Sequence, residues 1–128
     1  MKTAVLIARI LLGLIFVVFS ANYVLHFIPI EANEAGGAFL GALAASGYVF
    51  PAIKIIEFVC GVLLLAGVLV PLALTLLAPI VVNIALYHFC LDTAGLPMVI
   101  LLLVLEIFLA WSYRGSFSGV LEVKAKPS

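Results

Sequence analysis

The sequence predicts an all-α polytopic membrane protein: a four-helix bundle of transmembrane spans with a short interfacial helix between spans one and two. Three observations carry that prediction. Of 128 residues, 67% are hydrophobic and 9% charged, far from the roughly even apolar content and quarter-charged composition of soluble domains. The apolar residues fall in runs of about 20, the length that crosses a hydrocarbon layer as a helix. The runs also lack the two-residue alternation of a barrel strand, and lipid leaves a chain only helices or closed barrels.

Span one covers about 3–27 and ends before Pro29, which cannot donate to a helix ladder. Arg9 interrupts this run, and bulky Phe19 stands where a signal-peptidase site wants a small residue. The segment therefore reads as a retained span. Glu31, Asn33 and Glu34 follow, then a small-residue stretch to Ala45 with Phe39, Leu40 and Leu43 at helical spacing, the interfacial helix. Gly47 closes it. Tyr48 and Phe50 supply boundary aromatics, and Pro51 suits the first turn of span two. The apolar run that follows is too long for one helix. Pro71 divides it into span two, about 51–70, and span three, about 71–91, with a possible kink at Pro79. The turn at Asp92–Gly95 leads to span four, about 96–114, opened by Pro97. These spans make one domain, 1–115, followed by a polar tail, 116–128.

Basic residues in short flanks mark the cytoplasmic side. Lys2, Arg114, Lys124 and Lys126 share one side, while Glu31, Glu34 and Asp92 lie opposite. Both termini are expected in the cytoplasm. The formal charge is zero and no basic run is present, so nucleic acid is not expected as a partner. Cys60 and Cys90 form no paired motif, lie at different depths and are not expected to bridge. No metal-ligating cluster is visible.

Ionisable residues inside a span cost about 2.5–3.5 kcal/mol each on insertion scales, so each calls for a partner or a purpose. There are five: Arg9, Lys54, Glu57, His88 and Glu106. Lys54 and Glu57 are three residues apart on one helical face and can pair. His88 lies at similar depth in span three. Arg9 and Glu106 lie nearer the cytoplasmic side and are expected to form a structural ion pair between spans one and four. The stripe Arg9, Gly13, Phe16, Ser20 and Tyr23 is expected to face the bundle interior. Asn83 aligns with Tyr87 and Cys90, whereas His88 is rotated away by roughly 140°. His88 reads either as a hydrogen-bonded packing residue or as a ligand contact, and Asn83 either as an interhelical bridge or as a ligand contact. His26 is expected to be exposed at the boundary. The candidate ligand-binding set is Glu57, Lys54, His88 and Asn83, and a membrane lipid is a natural occupant.

Arg9, Leu11, Leu12, Gly13 and Phe16 in span one, Glu57, Gly61, Leu63, Leu64 and Leu65 in span two, and Pro79, Asn83, Tyr87 and His88 in span three appear in an order that resembles the DoxX-like family of small four-helix bacterial membrane proteins. The resemblance runs over nearly the whole chain. It departs from the family at Ser20, Ala21 and Asn22, where such proteins often carry Ser-Gly. The resemblance implies the bacterial cytoplasmic (inner) membrane, a quinone as ligand and another redox subunit as partner, and it points to Arg9, Glu57, Asn83 and His88 without giving them roles. A stand-alone enzyme is not expected, because no haem-ligand pair, cysteine motif or nucleotide fingerprint is visible. A structural anchor without ligand chemistry and a small transporter or proton path are the competing readings. Gly13, Gly61 and Gly67 offer close helix approach, either within the chain or to a second copy.

Overall fold

The computed structural model describes residues 2–25 and 33–128. Pro29 and His26 lie outside the described residues. Within these bounds the chain is helical, with α1 (Lys2–Leu25), α2 (Glu34–Ala45), α3 (Val49–Ala66), α4 (Val70–Cys90) and α5 (Leu96–Ser112). Short 3-10 turns at Thr93–Gly95 and Arg114–Phe117 flank α5. Four of the five helices are long and apolar enough to cross a membrane, the last of them when counted from Thr93.

The helices form a ring. The α1–α3 interface is the most extensive, followed by α4–α5, α3–α4 and α1–α5. Arg9 at the start of α1 lies beside Gly67 at the end of α3, and Lys2 shares a cavity with Arg114 beyond α5. Neighbours therefore run antiparallel, and the start of α1, the α3–α4 turn and the end of α5 share what we call the basic end. The other end carries α2, the start of α3 and the α4–α5 turn.

The α1–α3 contact is a backbone approach. A Cβ on Gly13 would stand 2.9 Å from the Gly61 carbonyl oxygen, and one on Gly61 would stand 3.0 Å from the Gly13 carbonyl oxygen. Only glycine permits that spacing, and in lipid such close packing supplies much of the attraction between helices. Inside the ring Leu12, Leu64, Leu77 and Leu109 are fully buried, one from each spanning helix. Outside it, large apolar side chains such as Ile7, Ile55, Val82, Phe89, Ile100 and Ile107 are exposed on every spanning helix. This is the pattern of a bundle whose solvent is hydrocarbon.

The third span begins where Pro71 places it, with α4 starting at Val70, but the second span ends earlier. Helix α3 stops at Ala66, four residues before the expected Val70, because Gly67 takes the left-handed conformation (φ 73°). Gly67 N–H donates to Leu64 O (3.3 Å) and Val68 N–H to Leu63 O (3.1 Å), the paired bonds of a Schellman ending. Pro71 stands in the first turn of α4, as expected for the start of span three. Leu69 between the two helices is held at φ 52°, a backbone region costly for a residue with a Cβ.

The expected interfacial helix is α2. Its cap is Asn33, whose side-chain oxygen accepts from Gly36 N–H (2.7 Å). The same side chain donates through Nδ2 to Leu91 O (2.6 Å), and Asn33 N–H donates to Asp92 Oδ2 (3.3 Å). One residue thus caps α2 and ties it to the α4–α5 turn. Phe39 packs on Tyr87 with ring centroids 5.9 Å apart, and a Cβ on Gly36 would collide with the Tyr87 hydroxyl. α2 is docked over the end of α4, which is why Asp92 is buried in a turn.

Candidate functional site

Lys54 and Glu57 sit on the second and third turns of α3. The spacing that put them on one face also brings them together: Lys54 Nζ lies 3.4 Å from Glu57 Oε2. Glu57 is 4% exposed and Lys54 is half-buried. Both residues belong to the first half of α3, so the pair lies nearer the end of the bundle that carries α2. A cavity of about 460 Å³ opens beside it between α1 and α3, walled by Ser20, Tyr23, Val24, Phe58 and Val59 with Lys54 as its charged group. Tyr23 faces Phe50 across its mouth, ring centroids 6.1 Å apart. The arrangement is an apolar slot with an ammonium at one side, backed by a buried carboxylate.

His88 and Asn83 do not join this pair. His88 Nδ1 lies 2.9 Å from Asp92 O, the ring meets Tyr87 edge-on at 4.9 Å, and a Cβ on Gly95 would overlap the imidazole. Its contacts close the α4–α5 turn, the packing role. Asn83 is exposed on the outer surface of α4 and donates to Pro79 O on its own helix (3.0 Å). That bond replaces the interhelical bridge expected of it. The four-residue set is thus reduced to Lys54 and Glu57.

The expected Arg9–Glu106 ion pair is not formed. Among the described residues Glu106 makes no ion pair, and its buried Oε2 has no hydrogen-bond partner. The reason is the direction in which helical side chains lean, toward the start of their own helix. α1 and α5 run antiparallel, so Arg9 leans to the basic end and Glu106 to the opposite end. Arg9 comes to rest over the last turn of α3: a Cβ on Gly67 would fall on its guanidinium. The negative end of the α3 dipole favours a cation there. Of the predicted interior stripe, Gly13, Phe16 and Ser20 are buried, Arg9 is half-buried and Tyr23 is exposed.

A scan against family models, a search of curated proteins and a search of solved structures each found no match.

Several polar residues that sequence reasoning passed over belong to the interior. Asn22 is buried on α1. Cys60 is fully buried, while Cys90 is exposed. Cys60 lies one turn beyond Glu57 on the same face, so helical spacing alone could have placed it inside. No group of three or more metal-ligating side chains occurs among the described residues.

Proposed function

We propose that this chain is a DoxX-like accessory or membrane subunit of a redox-related assembly, which holds an isoprenoid quinone or a lipid between α1 and α3. It would lie in a bacterial inner membrane with both termini in the cytoplasm. The observation that carries the reading is the slot beside Lys54: an apolar trough of about 460 Å³ with a cation at its side whose counter-carboxylate is buried. The Lys54 ammonium would donate to a carbonyl or headgroup oxygen. Glu57 keeps the lysine aimed at that point. The ordered residues shared with the DoxX-like family and the basic flanks at one end support the same assignment.

The test is extraction of the protein in mild detergent, with quinone and lipid in the purified sample quantified by mass spectrometry. Stoichiometric quinone or lipid in the wild type, falling severalfold in Lys54→Met and Glu57→Gln, supports the reading. A sample free of both, with added quinone binding equally to wild type and variants, removes it. A structural anchor is the second reading, and what favours it is the filled interior of Leu12, Leu64, Leu77 and Leu109. The same apolar layer argues against a proton path or carrier through the bundle.

A further inference from the structure

The basic end of the bundle, opposite the Lys54 slot, carries a second concavity. It lies between the first turns of α1 and the residues that end α5, has a volume of about 470 Å³, and is lined by Lys2, Arg9, Arg114 and Trp111 with Val5 and Leu6. Three cations line it and no carboxylate does. Among the described residues Arg9 makes no ion pair and donates no hydrogen bond. Arg114 is held in place, its guanidinium 4.0 Å over the Trp111 ring and Nη1 donating to Trp111 O (2.9 Å), which leaves its remaining N–H groups free to face outward. Lys2 is the first residue of α1, so the positive end of a 24-residue helix dipole adds to the same field.

We infer that this cavity binds the phosphate of one anionic phospholipid, with the acyl chains descending along Val5 and Leu6. Three features fix the chemistry. The guanidinium of Arg9 carries its N–H donors on a planar fork that matches phosphate oxygens. The end of α3 offers the Arg9 guanidinium only the partial charge of a dipole, and a bound anion would supply a full counter-charge. The wall that continues from the cations into the membrane is apolar, which suits a lipid and not a soluble anion. The inference does not depend on the Lys54 slot, which lies at the other end.

Trp111 is the single tryptophan of the chain and lines the cavity, so it reports occupancy. The experiment uses the full chain in phosphatidylcholine nanodiscs containing a minor fraction of brominated phosphatidylglycerol or, separately, brominated phosphatidylcholine. Quenching of Trp111 is read as the ratio between the two lipids within each variant. The ratio should exceed one in the wild type and move toward one in Arg9→Gln and Arg114→Gln, the relative affinity for phosphatidylglycerol drawn from it falling about fivefold for each cation lost, the equivalent of about 1 kcal/mol per basic residue. It should survive Lys124→Gln/Lys126→Gln, which removes two charges from the exposed tail, and Lys54→Met. Millimolar inorganic phosphate at fixed ionic strength should leave it unchanged.

Equal quenching by both lipids in the wild type overturns the inference. So does a ratio that the tail variant lowers as much as the cavity variants do, because general attraction to the surface would then explain it. Loss of the ratio on adding inorganic phosphate would make the occupant a soluble anion and overturn the lipid assignment.

Discussion

Gly61→Ala tests the backbone approach that holds α1 against α3. The added Cβ would lie 2.8 Å from Val17 Cγ2 and 3.0 Å from the Gly13 carbonyl oxygen, against an ordinary carbon contact of about 3.5–4.0 Å. The side chain can rotate away but the carbonyl cannot, so the two helices must part by several tenths of an ångström. Overpacking of this kind costs about 2 kcal/mol. Replacing glycine by alanine inside a helix returns about 1 kcal/mol, and the net expectation is a loss of about 1 kcal/mol. Gly41→Ala in α2 is the control, since nothing stands within 4 Å of its Cβ; it gains helix propensity with no clash and should move stability the other way or leave it unchanged. Unfolding by dodecyl sulfate titration in mixed micelles, followed by circular dichroism, measures both. In a Val17→Ala background the Gly61→Ala penalty should shrink, with a coupling of about 0.5 kcal/mol or more. If Gly61→Ala stabilises the protein as its propensity alone would, the close contact at Gly61 is wrong.

The unpartnered oxygen of Glu106 makes a second case. Glu106→Met keeps the volume and removes a buried polar atom without a bond, so it should raise stability by about 1–3 kcal/mol in the same titration; a loss of similar size would reveal a partner for that carboxyl. Asn33→Ala removes the α2 cap and the side-chain tie to Leu91 O, while its backbone N–H keeps the bond to Asp92. Hydrogen exchange should accelerate by at least fivefold over α2, corresponding to a cap worth about 1 kcal/mol, while α1 and α3 keep their protection. Uniform acceleration across all helices would contradict a local clamp. A membrane-permeant maleimide should modify one thiol per chain in the folded protein, at Cys90, and two after denaturation, as counted by intact mass; modification of Cys60 without denaturation would deny its burial.

The spans were legible because hydropathy depends only on composition over about 20 residues, and the lengths of α1 and α4 follow it. The α3–α4 boundary was not. Val68 and Leu69 are as apolar as the helices they separate, so hydropathy shows no dip, and the decisive signal was the left-handed conformation available to Gly67. Pro71 marked the start of α4 correctly, and the end of α3 was the part that hydropathy hid. Within the candidate site, Lys54 and Glu57 were readable because an i, i+3 pair needs only one helix to be placed. His88, Asn83, Arg9 and Glu106 needed more: which way each helix runs, which carbonyl lies nearby, and how side chains lean along the axis. Charge balance paired Arg9 with Glu106, and the antiparallel course of α1 and α5 separated them. The cavity at Lys2, Arg9 and Arg114 was visible only as a count of basic residues on one side, because its walls come from the two extremes of the spanning region.

The seat of Arg9 on the α3–α4 bend bears on the order of assembly. Everything needed for the α1–α3 pair, from the glycines to the bend that receives the guanidinium, lies within the first 69 residues. The first hairpin can therefore consolidate as soon as that bend enters the bilayer, before the latter half of the chain has been synthesised. α4 and α5 then complete the ring as a second hairpin arriving against a finished template.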